Sequence, residues 1–386
     1  MLYLPRTECL ESGWFSVTFV VDISFLKKIR FPQIRLNFAL GPVSFVGIDI
    51  GTDSVKVVQL KKERERAILE TYGELKAARY FQRESGGGGL LTHSDENVAN
   101  LLKDVLRESN VTTHRAVFGI PATASFITVV NFPLLEDDEI RAAVPFEVKK
   151  YVPIPISEVA LDWQVLERDE TEKRVLVLLV AVPNEVVAKY QRIAAQIGVE
   201  IAGVEVESFS LVRSLLGTDR GVTAIIHWGA VVTTVTVVDR RQIRMNHNFG
   251  RGSQEITNAL ARSLGITLER AETMKKEVGL SEKPEEREVA SIITPIVDST
   301  LADIERTLTN YNRTATRKIE KIVITGGGAS LGGLVDHVAK HFGLETVVGN
   351  PFARTVFPAF LQPVLKGVAP NFSVAVGLAL RQIATT

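Results

Sequence analysis

Residues 44–60 are almost continuously strand-forming, interrupted only by Gly51-Thr52-Asp53-Ser54, which predicts a β-hairpin around a glycine turn. A further strand, changing from charged to apolar, follows to about Leu75. Ser94 then precedes a segment in which Val98, Leu101, Leu102, Val105 and Leu106 share one face at helical spacing. That is a capped amphipathic helix. Residues 115–120 and 125–132 read as strands around Pro121. The acidic residues 136–139 favour a helix start, where carboxylates meet the positive end of the dipole. Pro145 is expected to kink or break that helix, because it removes a backbone donor. Residues 161–167 and 175–182 form a hairpin across a charged turn. Asn184 is expected to cap the next helix, and Gly198 to close it. Residues 86–89 are four glycines and read as a connector. Strands alternating with helices over this length predict an α/β fold.

The chain has 386 residues, enough for two domains that each bury a core. Apolar residues make up 45% and charged residues 23%, the balance of a soluble globular protein, and the chain reads as cytosolic. The formal net charge is zero, so no global field draws it to nucleic acid. The single cysteine, Cys9, excludes an intramolecular disulfide framework and a Cys-rich metal site. His337 and His341 are the one histidine pair at ligand spacing, but they lack the glutamate of a metalloprotease helix and read as a solvated face. Residues 14–26 are apolar but too short to span a bilayer, and Asp22 interrupts them. Residues 221–238 are longer, yet threonines and His227 punctuate them like paired strands.

Residues 1–44 do not follow the order of a signal peptide, and 1–43 read as a poorly ordered or over-annotated extension. Within them, 25–31 is a short basic and apolar run that suits an anionic membrane surface but is too short to hold alone.

The chemistry begins at the hairpin turn. A strand ending in Asp49, then Gly51 and Thr52, lets backbone N–H groups close on phosphate oxygens, and Thr52 and Ser54 add hydroxyl donors. Asp49 suits magnesium held through water. Alone, such a turn reads as an ordinary hairpin. An echo of the strand recurs at residues 224–229, with His227 178 positions after Asp49. A third glycine turn, Gly326-Gly327-Gly328, follows the apolar strand 322–325 and precedes Ser330. Three such turns suggest two similar subdomains facing across a nucleotide cleft.

This order of parts resembles the actin, sugar-kinase and heat-shock chaperone superfamily. More closely, the chain is similar to the PilM family of actin-like pilus-assembly proteins, relatives of the division protein FtsA. The similarity rests on GIDIGTDSVKVVQL at 47–60, FEVKKYVPIPISEVALDWQVL at 146–166 and the segment 181–215. ITLERAETMKKEVGL at 266–280 and PNFSVAVGLALRQI at 370–383 complete it. The resemblance implies an actin-like (RNase H-like) ATPase fold with a small inserted α+β subdomain of the SHS2 kind. It divides the chain into an extension at 1–43, a first subdomain at 44–124, the insert at 125–204 and a second subdomain at 205–386.

The implied ligand is ATP with Mg2+. By position, Asp49 serves the metal, while Gly51, Thr52, Asp53 and Ser54 hold phosphate; Gly229 and Lys56 join the nucleotide-binding set, although alternation equally makes Lys56 a solvated strand residue. Glu272 and Lys275 contact ribose or base, with an i, i+3 surface pair as the plainer alternative. Gly326, Gly327, Gly328 and Ser330 line the nucleotide. The implied partner is the cytoplasmic N-terminal peptide of a PilN-like inner-membrane protein, docked near 118–132 and 147–155. Other pilus-assembly proteins and a second copy of the chain are further candidates, and membrane association runs through these partners.

The pattern fails at His227, where the superfamily has aspartate. A neutral imidazole cannot supply that negative charge to magnesium, so nucleotide binding is expected with weak or absent hydrolysis. The family's paired glycine also becomes Gly252-Ser253, and its linker aspartate becomes Glu205. Alternatives are a small-molecule kinase, for which no catalytic carboxylate is evident, and an FtsA-like division scaffold, whose membrane helix is not seen after the closing helix.

Overall fold

The computed structural model describes residues 43–77, 80 and 93–384. The leader 1–42 and the glycine run 86–89 lie outside the described residues. The first sheet contains β1 (Ser44–Ile50), β2 (Ser54–Glu63), β3 (Arg66–Lys76), β4 (Arg115–Ile120) and β8 (Glu200–Val206), in the order β3-β2-β1-β4-β8. The second contains β9 (Thr223–Trp228), β10 (Thr233–Asp239), β11 (Gln242–Phe249), β12 (Lys321–Thr325) and β13 (Glu345–Val348), in the order β11-β10-β9-β12-β13. The two orders are the same. Each central strand pairs antiparallel with its hairpin mate and parallel with the strand on its other side. Residues 221–238 are therefore a hairpin, as their threonine punctuation indicated.

A third sheet, β5-β7-β6, stands apart. It contains β5 (Phe126–Pro133), β6 (Val159–Asp169) and β7 (Arg174–Pro183). Helix α2 (Asp137–Val148) buries Ile140, Val144 and Val148 among Val130, Val175 and Val177 of that sheet. Glu136 and Glu139 form a capping box at its start. The expected break at Pro145 does not occur. The helix runs three residues past it, because the missing donor costs one bond while Val144 and Val148 still gain their burial.

Helices α1 (Asp95–Glu108) and α3 (Asn184–Ile197) cover the first sheet, and the Ser94 hydroxyl caps α1 by accepting from the Asn97 N–H. Asn184 does not cap α3. It is the first helical residue, preceded by Pro183, and its amide donates to Ser157 O. Gly198 closes the helix at φ 71°, where a side chain is strained.

The second sheet is covered by α5 (Ser253–Leu264), α6 (Leu268–Val278), α7 (Arg287–Thr314) and α8 (Leu334–Phe342). His337 and His341 on α8 lie against Asp298 (2.6 Å) and Glu305 (3.2 Å) of α7. They form a helix–helix contact on a part-exposed face, and among the described residues no metal-binding cluster exists.

Two helices join the lobes. Helix α4 (Glu207–Leu215) connects β8 to β9, and α10 (Ser373–Ala384), reached through α9 (Gln362–Val368), lies against α4, β1 and β2. The contact is close because a Cβ on Gly377 would stand 2.1 Å from Ser210 O. Glu205 ties the junction, with Arg213 2.5 Å and Arg381 3.3 Å from its carboxylate. By length and hydropathy, Ala359–Ile383 resembles a membrane span, but 67% of its most apolar window is buried inside the structure. It is a core element of the first lobe and the linker.

Candidate functional site

The first hairpin turn is built on β1 and β2. Gly51 N donates to Ser54 O at 3.1 Å, and a Cβ on Gly51 would stand 2.9 Å from that oxygen. Asp49 of β1 lies opposite Lys56 of β2, and Lys56 opposite Glu74 of β3. Residues directly opposite in a sheet point to one face, so the three form a row of alternating charge. Lys56 Nζ donates to Ser54 Oγ (2.8 Å) and stands 3.8 Å from Glu74, while Ser54 Oγ donates to Glu74 Oε1 (2.7 Å). Asp53 pairs with Lys76 at 2.5 Å, and Thr52 is exposed.

Burial raises the pKa of Asp49, with Lys56 opposing and Glu74 adding. Among the described residues its carboxylate has charged neighbours but no hydrogen-bond donor. Burial also pushes Glu74 up, but Lys56, the Ser54 hydroxyl, Lys76 and Asn371 together outweigh it and hold Glu74 below its ordinary value.

The second hairpin repeats this backbone with other side chains. Gly229 N donates to Val232 O at 3.0 Å, and a Cβ on Gly229 would stand 2.6 Å from that oxygen. The turn residues are Ala230 and Val231, which bring no hydroxyl or charge. Their carbonyl side is engaged: Ser253 N donates to Gly229 O (2.9 Å) and Gln254 N to Ala230 O (2.8 Å). Gly252 is required there, since a Cβ would lie 2.4 Å from Ala230 O. The row equivalent to Asp49–Lys56–Glu74 is His227–Thr234–Asn248, and it carries no formal charge. Burial, with Lys56 adding, lowers the His227 pKa to about 4. That dependence places Lys56 of the first lobe within electrostatic reach of His227 in the second.

The remaining residues meet at the same cleft. Gly326, at φ 85°, packs on His227, where a Cβ would stand 2.6 Å from Cδ2. A Cβ on Gly328 would stand 2.5 Å from the Trp228 ring. Gly327 and Ser330 are exposed in a short 3-10 turn at Gly327–Ser330. Lys275 is buried and donates to Glu272 (2.6 Å), Thr257 (2.8 Å) and Ser253 O (3.3 Å). The pair therefore fastens α6 to the start of α5 and is no surface pair. Burial lowers the pKa of Lys76 in the first lobe, but Asp53, Glu74 and, from the second lobe, Glu272 together outweigh it and raise it.

Several residues at the site carry no motif. Glu74 and Lys76 belong to an edge strand, and only strand register aligns them with the turn. Glu207, the first residue of α4, accepts from Ala122 N at 2.9 Å. Burial, opposed by that bond, raised further by Asp49 and lowered by Lys56, leaves its pKa at about 7. Trp228 Nε1 and Asn371 Oδ1 are buried without a hydrogen-bond partner among the described residues.

Comparison with known proteins extends this geometry. The structure superimposes on a PilM-PilN type IV pilus biogenesis complex with a TM-score of 0.76 at 22% identity, covering 88% of this chain and 99% of that one. It also matches ethanolamine utilization protein EutJ from Carboxydothermus hydrogenoformans, with a TM-score of 0.52, 17% identity, and coverage of 88% and 90%. MreB5 of Spiroplasma citri bound to ADP gives 0.51 and 12%, with coverage of 89% and 97%. At such identities these likenesses show the fold, which is actin-like. The profile of the family described as type IV pilus assembly protein PilM matches residues 47–383. That range takes in both hairpins, the separate three-stranded sheet, the Gly326 turn and α10, and so the chain belongs to the PilM family of type IV pilus assembly proteins.

Proposed function

We propose that the chain is a nucleotide-binding scaffold of type IV pilus assembly, or of a related secretion or DNA-uptake machine, working at the cytoplasmic face of the inner membrane. The observation that supports this reading is the pair of matched turns, Gly51–Ser54 and Gly229–Val232, in a chain of this family, with Lys56 beside the first adding to the burial that lowers the pKa of His227 before the second. ATP would lie between them. Backbone N–H groups around Thr52 to Ser54, the Thr52 hydroxyl and Lys56 would hold phosphate from the first lobe, and the Gly229 turn would close from the second. Gly326, Gly327, Gly328 and Ser330 would line the adenosine, with Glu272 and Lys275 beside them.

Mg2+ fits the donor set. Asp49 offers a carboxylate free of protein hydrogen bonds, and one carboxylate with phosphate oxygens and waters is a common magnesium arrangement. When bound, the ion would neutralise phosphate charge. Hydrolysis is weak or absent in this reading, because a neutral His227 supplies no negative charge to orient the ion or an attacking water.

The partner would be the cytoplasmic N-terminal peptide of a PilN-like protein, since the relative in the fold comparison was solved as a PilM-PilN complex. The separate three-stranded sheet is the docking element we favour. Phe146, 70% exposed on the α2 that packs on this sheet, and the exposed Tyr151 and Leu134 that flank the helix are apolar side chains that an extended peptide can cover. Phe118, at one end of the expected groove, is fully buried against Tyr190 and is core.

Mass spectrometry of nucleotide retained by the purified protein, with and without magnesium, tests the first half. Retention of adenine nucleotide that magnesium strengthens supports it, and no binding at millimolar ATP sinks it. Pull-down with a PilN-like peptide, lost in Phe146→Ala with Tyr151→Ala, tests the second.

A further inference from the structure

The charged row at the first hairpin contains one group that a phosphate site does not need. Glu74 accepts from Ser54 Oγ at 2.7 Å, and Lys56 Nζ lies 3.8 Å from it while donating to the same Ser54 hydroxyl. Lys56 is the cation of the turn, and Ser54 is its last residue. Both are therefore already turned toward a carboxylate. The equivalent row in the second lobe, His227–Thr234–Asn248, has no carboxylate, and there Thr234 Oγ1 donates to the Asn248 side chain at 2.9 Å. The carboxylate is thus a feature of the first lobe and no requirement of the shared fold.

Glu74 is also held in place. Register puts it directly across from Lys56, and the Asn371 side chain, on the segment leading into α10, adds to the groups that hold its pKa down. Asn371 in turn faces the adenosine turn, where a Cβ on Gly327 would stand 3.9 Å from its Oδ1. The carboxylate is fixed among the donors that a phosphate would use, and two anions cannot share those donors without mutual repulsion.

We propose that Glu74 is an affinity-setting residue, which competes with the incoming phosphate for Ser54 Oγ and Lys56 Nζ. This rests on the nucleotide reading above and deepens it. A triphosphate must release Lys56 and Ser54 from Glu74 before it can use them, so binding is weaker than the turn alone would give. The competition is one of charge. It acts on phosphate-bearing ligands in proportion to their charge and leaves an uncharged nucleoside unaffected.

The test compares ATP with adenosine, each with magnesium, by calorimetry on the full-length protein. Glu74→Gln keeps the length and an acceptor oxygen but removes the charge. It should bind ATP roughly tenfold more tightly than wild type, as expected for removing one like charge a few ångströms away in a partly screened site, with adenosine unchanged. Glu74→Asp keeps the charge and shortens the reach. It should fall between the two, and it carries the test if Glu74→Gln melts early. Unchanged or weaker ATP binding in Glu74→Gln overturns the proposal. An equal gain for adenosine overturns it too, because a merely structural effect moves both ligands alike. If neither wild type nor variant binds ATP, the nucleotide reading itself falls, a result distinct from the other two.

Discussion

The hairpin of the first lobe and that of the second share a turn, a register and a place in identically ordered sheets, yet they differ at almost every side chain that could touch a ligand. Asp49, Thr52, Asp53 and Lys56 of the first correspond to His227, Ala230, Val231 and Thr234 of the second. The backbone is what the duplicated fold enforces. Gly51 and Gly229 each place an N–H on the carbonyl three residues on, and each lacks room for a side chain. The charge is what each lobe holds separately. In the nucleotide reading proposed above, one lobe thus carries the side chains for phosphate and metal, and the other supplies shape.

The lobes also meet α10 differently, and the largest effect should appear there. On β1 the helix crosses Gly47, where a Cβ would stand 2.1 Å from Ala375 O. The equivalent position on β9 is Ile225, which packs with Val374 and Leu378. Gly47→Ala should cost about 3 kcal/mol by overpacking against backbone. Ile225→Val should cost only about 1 kcal/mol. Denaturant midpoints of the two variants measure the contrast, and equal losses would show that the helix seats on both lobes alike.

Ligand binding should divide just as unequally. Asp49→Ala should weaken magnesium-dependent ATP binding about a hundredfold, the scale of a lost charge-to-metal contact. His227→Ala should change it by less than about threefold, since a neutral ring offers magnesium nothing to lose. Titration calorimetry decides this, and comparable losses would remove the asymmetry. Steady phosphate release by the wild type that Asp49→Ala abolishes would likewise overturn the weak-hydrolysis reading.

Acid should expose the third difference. Folded His227 stays neutral down to about pH 4, whereas the unfolded chain protonates near its ordinary 6.5. Between those values the unfolded state binds the extra proton, so stability falls as pH drops. Glu207 does the reverse. Its folded pKa of about 7 stands above the ordinary 4.5, so its contribution falls as pH rises through that window. Melting curves from pH 4 to 7 should show a smaller acid loss in His227→Gln than in wild type, and a smaller loss toward pH 7 in Glu207→Gln.

The smallest effect belongs to Thr52. Its exposed hydroxyl is worth about one hydrogen bond, so Thr52→Ala should weaken ATP binding about fivefold. A loss as large as that of Asp49→Ala would mean that the turn, and not the charge behind it, carries the affinity.

Much of the fold is legible in the amino-acid sequence alone. The interrupted strand 44–60, the α1 face and the 161–182 hairpin announce themselves through apolar spacing, because a half-buried strand or helix must repeat with its own period. The Asp49–His227 echo is legible too, and with it the fold and its asymmetry. Local rules fail where packing overrides them. Pro145 sits inside α2 because its neighbours are buried, and Asn184 uses its amide on Ser157 instead of a cap. Glu272 and Lys275 are visible as a pair, but only the fold buries Lys275 against Thr257.

By itself, then, the sequence determined the element types, the repeated turn and the loss of one carboxylate, all of which depend on residues near one another in the chain. Tertiary structure alone decided which charges share a cleft. Lys56 acts on His227, Glu74 stands over Ser54, and Asn371 reaches Glu74 from a distant part of the chain. Such pairings follow from strand register and helix crossing, which no local pattern encodes, and Coulomb forces depend on distance in space and not on position in the chain.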